Sequence, residues 1–368
     1  INRPATPQEM KMMLSLAREA LQAGAVGVAS ALAYVPDSFN STAELVSFAQ
    51  AAAEYDRLFI AHMRGEGDRL LEAIDEMISI ADRSGARVEI YHLKIAGWKN
   101  WHKIDAAIEK IEAARARGVQ ITADVYPYIA AASGLDLCMP AWVQEGGLKT
   151  WIARLKDPAV RERLLFEMTT PSSEWENALL EVQDLDGILF TGFDNPELKP
   201  LTGKTLGEVC ALCGTSPAET LMDLVVEDGS RVSTVYFTMV EENLRRLIQL
   251  PWVSLCSDAR SMAPEGVFLR SSTHPRAYGS FSRFLGRYVR DEGLLTLEEA
   301  VRRLTSLPAS NLRLKQRGLI APGYFADLVL FDPAVIRDNA TFTQPQQYAS
   351  GVEYVFVNGK TVVQNGEH

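Results

Sequence analysis

Residues Val88–Trp101 read VEIYHLKIAGWKNW. The apolar alternation at Val88-Glu89-Ile90-Tyr91 predicts a buried strand. It runs into His92 and Lys94 before Ala96-Gly97 breaks it. Side chains two apart on a strand leave the same face. This strand end therefore offers an imidazole and an amine together, one suited to a metal and the other to an anion.

Two further segments have the same build. Leu58–Ala61 leads into His62 and the polar turn Met63-Arg64-Gly65-Glu66-Gly67-Asp68, and Trp252–Leu255 leads into Cys256-Ser257-Asp258. His62, His92 and Asp258 thus each occupy the C-terminal tip of a predicted strand. In a barrel of parallel strands that rim is where active sites are built. Neutral imidazole and carboxylate are the ligand types of Zn²⁺ and similar ions. A single strand-end histidine is more often just hydrogen-bonded. Three such tips in a chain of only five histidines favour a site.

The 368 residues suffice for one large domain and a smaller one. A hydrophobic content of 47% and a charged content of 23% are ordinary for a globular enzyme. The net charge of −10 argues against a nucleic-acid partner, because phosphate neutralisation needs a basic surface. No apolar run reaches the roughly 18 residues of a membrane span, so no membrane partner is expected. No signal-peptide pattern is present. Cys138, Cys210, Cys213 and Cys256 make no disulfide framework, which points to a reducing, cytoplasmic setting. Cys210 and Cys213 share one face of a helical pattern and read as buried packing. The chain starts at Ile1 and enters a helix almost at once, which suggests the later part of something longer.

Thr6-Pro7-Gln8-Glu9 is a capping box with proline in the first turn, opening a helix to about Ala23. A short strand follows over Gly24–Ser30, and Ser41-Thr42-Ala43-Glu44 caps the next helix, to about Tyr55. Helices are also predicted from about Asp68 to Arg83 and from His102 to about Arg117, with a strand in Val119–Tyr128. Strand and helix alternate in units of about 30 residues, which predicts a parallel sheet with crossover helices. No G-x-G-x-x-G and no P-loop is present, so a nucleotide-binding fold is disfavoured.

The pattern changes over about 138–229. Helical segments Trp151–Arg163 and Pro217–Glu227 surround one strand, Gly187–Phe193, as in a subdomain inserted over the mouth of the sheet. Then come a strand at Val232–Met239, a helix at Glu241–Gln249 and a long loop, Ala259–Ala277, of the kind that is usually functional or disordered. Helices are expected near Phe281–Asp291 and Leu297–Leu304. The tail reads as antiparallel strands within Gly318–Phe331 and Val352–Val363, with Asn358-Gly359 as a hairpin turn. The expected division is a catalytic domain over 1–313 and part of a β-sandwich over 314–368.

Several motifs in order carry a family resemblance: Ala61-His62-Met63-Arg64-Gly65-Glu66-Gly67-Asp68, His92-Leu93-Lys94, Asp124-Val125-Tyr126-Pro127-Tyr128, Ser257-Asp258 and His274-Pro275-Arg276-Ala277-Tyr278-Gly279. Over almost its whole length the chain resembles the N-acyl-D-amino-acid deacylase (D-aminoacylase) group of the amidohydrolase superfamily. The resemblance implies a (β/α)₈ TIM barrel, of which strands four to eight are present here, with a small β-sandwich. It implies zinc-dependent hydrolysis of the amide of N-acyl-D-amino acids, with one tight Zn²⁺ site and room for a second metal. By the resemblance His62 and His92 are zinc ligands and Asp258 is the general base. Lys94, Arg276 and Tyr126 or Tyr128 hold the substrate carboxylate, and Tyr34 lies near the substrate.

The chain departs from the pattern in places. Ala259 and Ala31 stand where the family has glycine. The family's H-x-H and cysteine ligand, its first three barrel strands and the leading half of its sandwich fall before the helix that begins here. Two histidines alone are below the usual three protein ligands of zinc. An N-terminal segment or chain of roughly 100 to 160 residues is therefore expected to complete the barrel. Strands four and eight would otherwise be exposed edges, and the chain alone is expected to be insoluble or partner-bound. Two other readings are a cyclic amidohydrolase of the dihydroorotase or hydantoinase kind and a catalytically silent barrel fragment. The first usually needs a lysine on the fourth strand, and Val26–Ser30 has none.

Overall fold

A computed structural model describes residues 2–368. The Thr6 capping box opens a helix over Pro7–Gln22, and strand β1, Gly27–Ala31, follows it. The Ser41 capping box opens the helix Thr42–Glu54, which returns the chain to β2, Leu58–His62. Helix Leu70–Ser84 ends on Gly85, whose φ of 68° is the left-handed cap that glycine allows. It leads to β3, Arg87–Ile90. The stretch Trp98–Lys103 is a short 3₁₀ segment, and the helix expected from His102 begins at Ile104 and runs to Ala116. Strand β4 is Ile121–Val125.

After β4 the chain leaves the parallel sheet. Strands β5 (Ala131–Gly134), β6 (Ile188–Gly192) and β7 (Ser233–Tyr236) form a separate antiparallel sheet in the order β5-β7-β6. Because β5 and β7 pair with each other, this sheet draws its strands from between 131 and 236. Its own core is built around Leu135, Trp151, Leu164, Phe190 and Leu221. The single helix expected over Trp151–Arg163 is two, Leu148–Leu155 and Pro158–Thr169. Asp157 caps the second and Pro158 starts it, a pair that begins helices but interrupts them. Cys213 is exposed and Cys210 only half-buried, its Sγ 3.4 Å from the Thr220 hydroxyl, so the pair is not buried packing.

Strand β8, Val253–Leu255, rejoins the first sheet, whose order is β1-β2-β3-β4-β8. Every pairing in it is parallel, with Ile60 opposite Glu89, Glu89 opposite Thr122 and Asp124 opposite Ser254. These are five consecutive strands of the α/β barrel type. Phe59, Ala61, Val88, Ile90, Ile121 and Ala123 turn one face into a core shared with Ile74, Met77 and Ile111 of the helices. The alternate positions turn the other way. The two outermost strands differ: β8 is buried throughout, whereas β1 is half-exposed.

The tail holds β9 (Leu328–Phe331), β10 (Val352–Val357) and β11 (Lys360–Gln364). Among the described residues they make one antiparallel sheet, order β11-β10-β9, where part of a sandwich is expected. Asn358 and Gly359, at φ 49° and 78°, make the hairpin turn. Ile336, Phe331 and Val352 tie this unit to the main core.

Candidate metal centre and substrate cavity

His62 is the last residue of β2. His92 is not on a strand, since β3 stops at Ile90. His92 takes φ 37° and Asp258 takes φ 45°, left-handed values that are uncommon outside glycine. Such backbone costs on the order of 1 kcal/mol or more and persists only where its surroundings enforce it. Asp124 does this for His92. Its Oδ1 accepts the His92 N–H at 2.6 Å, and its carbonyl accepts the Leu93 N–H at 2.8 Å. His92 and Lys94 do converge, but through this turn and not through strand alternation.

The imidazoles of His62 and His92 meet at 76°, with Nδ1 of the first 3.0 Å from Nε2 of the second. The remaining nitrogens face Glu66: His92 Nδ1 lies 3.2 Å from Oε1 and His62 Nε2 lies 3.6 Å from Oε2. Donor atoms of His62, Glu66 and His92 all lie within 4.8 Å of one another. Ligand nitrogens about 2.0–2.1 Å from a tetrahedral zinc stand roughly 3.3 Å apart, so His62 Nδ1 and His92 Nε2 fit that ion. Lys94 Nζ sits 2.6 Å from both Glu66 Oε1 and His92 Nδ1.

Burial pushes His62 down to about 3 against the opposing pull of Glu66, so its ring is neutral at physiological pH. Neutral imidazole is the metal-binding form. Burial disfavours the Glu66 carboxylate, yet the Lys94 ammonium 2.6 Å from Oε1 helps hold it ionised, below the ordinary range.

These groups open onto a cavity of about 940 Å³ whose walls include Tyr34, Lys94, Tyr126, Asp258 and Arg276. The Arg276 guanidinium stacks 4.5 Å from the centre of the Tyr126 ring. Its Nη1 and the Tyr126 hydroxyl are buried without hydrogen-bond partners. An unmade bond at a buried donor costs about 1–3 kcal/mol, so both are poised for an acceptor in the cavity. The backbone N–H of Arg276 donates to His274 Nδ1 at 3.0 Å, while His274 Nε2 lies 2.9 Å from the Ala130 carbonyl. That fixes the start of the helix Arg276–Arg283.

Tyr34 stands edge-on to His62 with ring centres 5.2 Å apart, and its hydroxyl lies 2.9 Å from Ser133 Oγ. Burial raises it to about 12 despite Ser133. Tyr128 lies elsewhere. The chain bends after Val125, and the Tyr128 hydroxyl donates to Asp338 at 3.3 Å beneath the Arg283 guanidinium. It braces the tail unit, so of the two tyrosines only Tyr126 lines the cavity.

Four further carboxylates shape the site without a role implied by the family motifs. Glu66 lies in the quoted His62 motif but is brought back to both histidines by a turn without periodic signature. Asp124 had only its strand-end position as a signal. Glu176, from the inserted unit, accepts the N–H groups of Glu66, Gly67 and Arg69 at 2.8, 3.0 and 2.9 Å. Glu181 is raised to about 8 by burial and by the charges of Glu176 and Glu66. No sequence signal links these last two to the site.

The chain is 33% identical over 356 residues to an N-acyl-D-glutamate deacylase of Alcaligenes xylosoxydans xylosoxydans, covering 96% of this chain and 61% of the relative. It is 31% identical over 372 residues to a D-aminoacylase of the same organism, covering 100% of this chain and 65% of the relative. The crystal structure of N-acyl-D-glutamate deacylase from Bordetella bronchiseptica, complexed with zinc and a phosphonate inhibitor that mimics the tetrahedral intermediate, superposes with a TM-score of 0.79 at 29% identity, covering 100% of this chain and 68% of that one. The chain thus spans less than two thirds of the length of these curated relatives. A model of the amidohydrolase family matches residues 2–363, and with paired imidazoles at the tips of a parallel sheet the chain belongs to that family.

Proposed function

We propose that this protein hydrolyses the amide bond of N-acyl-D-amino acids, with zinc held by His62 and His92. The observation that carries the reading is the 3.0 Å approach of His62 Nδ1 to His92 Nε2 at the rim of a cavity that also presents Lys94 and Arg276. The named activities of the relatives support it. Zinc bound there would lower the pKa of a water and polarise the amide carbonyl. Asp258 takes the proton from the attacking water and delivers it to the amine as the carbon–nitrogen bond breaks. Arg276 and Lys94 fix the substrate carboxylate, the first by its planar fork. Tyr126 gives its unpartnered hydroxyl to the same group, and Tyr34 closes the wall beside His62.

An eight-stranded barrel closes by pairing its last strand with its first. Here β1 and β8 are the two ends of the sheet, and strands that pair with them are the remaining partner in this proposal. Turnover is expected from the closed barrel, and zinc and ligand binding from the residues described. The test is metal analysis followed by calorimetry with an N-acetyl-D-amino acid and its L enantiomer. One zinc per chain and preference for the D form are expected. A protein that takes up no zinc, or binds both enantiomers equally, refutes the reading.

A further inference from the structure

Glu66 is a carboxylate that faces both candidate ligands at once. His62 and His92 each turn one nitrogen to a shared point, and the nitrogens on their far sides face the two oxygens of Glu66. A neutral imidazole carries one proton. Protons on the two nitrogens nearest Glu66 leave both lone pairs at the shared point. We propose that Glu66 is a positioning residue: its carboxylate fixes both rings in the tautomers whose lone pairs converge, without itself ligating the ion. The inference rests on the reading of His62 and His92 as the zinc ligands.

Lys94 also acts on the His92 ring. Its ammonium lies 2.6 Å from His92 Nδ1, a contact that requires the lone pair on that nitrogen and places the His92 proton on Nε2, at the shared point. The carboxylate of Glu66, 3.2 Å from the same nitrogen, favours the opposite tautomer. Glu66 and Lys94 therefore set opposing states of one ring. When His92 Nδ1 carries its proton, Lys94 keeps only its contact with Glu66 Oε1, also 2.6 Å. Glu66 is well held for this task. Its side chain is 12% exposed, its N–H donates to Glu176 and its carbonyl accepts the Ala96 N–H at 2.7 Å. Outer carboxylates that orient metal-binding histidines in this manner typically contribute a factor of 10–100 in affinity.

The test uses the full chain and cobalt(II) as probe, with Glu66→Gln and Lys94→Met beside the wild type. Glu66→Gln is expected to leave the shape and intensity of the cobalt absorption bands unchanged while weakening binding about 10- to 100-fold. Lys94→Met is expected to bind at least as tightly as wild type. Nitrogen-15 spectra of the zinc-loaded wild type, which need no variant to fold, should show the protons of His62 on Nε2 and of His92 on Nδ1. A changed band shape in Glu66→Gln would make Glu66 a ligand and overturn the proposal. So would unchanged affinity, a loss in Lys94→Met equal to that in Glu66→Gln, or the opposite tautomers. A wild type that binds no cobalt removes the metal reading itself, and this inference falls with it. A wild type that binds while the variants behave otherwise than stated removes this inference alone.

Discussion

The guanidinium of Arg276 lies 2.8 Å from the carboxylate of Asp258, joining the residue proposed to hold the substrate to the residue proposed to move its proton. The Arg276 side chain is 7% exposed and that of Asp258 37%. One guanidinium nitrogen is thus engaged while Nη1 is unpartnered. Arg276→Lys replaces the planar fork by a point charge that cannot serve both acceptors. Binding of an N-acyl-D-amino acid is expected to weaken tenfold or more, about 1.4 kcal/mol, by calorimetry. With the carboxamide analogue the variant and wild type should match. An equal loss on the amide would show that Arg276 does not read the carboxylate.

His92 is buried against Glu66, Lys94 and His62, whereas His102 is exposed on the 3₁₀ segment before the helix Ile104–Ala116. His92→Ala is expected to lose bound zinc by elemental analysis, and His102→Ala to retain it. Full stoichiometry in His92→Ala would refute the assignment.

Glu89 lies on the polar face of β3, accepting from the Thr122 hydroxyl at 2.8 Å and the Asn311 amide at 3.1 Å. Burial, reinforced by the Asp124 charge, raises it to about 8. An unfolded glutamate titrates near 4.3. Between those values the folded chain keeps a proton that the unfolded chain has lost. Its contribution is full below about 4.3 and falls as pH rises toward 8, by up to about 1.4 kcal/mol per pH unit. Glu89→Gln should flatten that slope in denaturation curves taken from pH 5 to 8. Parallel slopes for variant and wild type would contradict the proton held at Glu89.

Glu176 ties the inserted unit to the loop that follows His62 through three backbone N–H groups. Bonds from amides to a charged acceptor contribute about 1.5–3 kcal/mol each. Glu176→Ala is expected to speed hydrogen exchange at the Glu66, Gly67 and Arg69 amides by about tenfold or more, with the core amides of Phe59 and Ala61 unchanged. Uniform acceleration would mean general destabilisation instead of a local latch.

Much of this molecule is legible in one dimension. Alternation at Val88–Ile90 and Leu58–Ala61, capping boxes at Thr6 and Ser41, and the Asn358-Gly359 turn are short-range patterns, and each element stands within a few residues of its expected place. His62, His92, Lys94, Tyr126, Asp258 and Arg276 also line one cavity. The two histidines and Asp258 follow strands whose tips share a rim, whereas the substrate roles of Lys94, Tyr126 and Arg276, the last at the start of a helix, come from the family motifs. Tyr128, offered beside Tyr126 by the family resemblance alone, lies outside that cavity, because the chain bends over 127–129 and its hydroxyl meets Asp338. The break at Asp157-Pro158 was visible in type but masked by the apolar residues on either side.

What only the folded chain decides is how the site is held. His92 enters it by a left-handed turn enforced by Asp124, 32 residues away. Glu66 is clamped by Glu176, 110 residues away, and lies between Lys94 and the two imidazoles. Periodicity records which face of its own strand or helix a residue takes. A backbone held in an uncommon conformation, or a carboxylate shared by three partners, has no period: its energy comes from distant groups, and only tertiary packing brings them within hydrogen-bond reach.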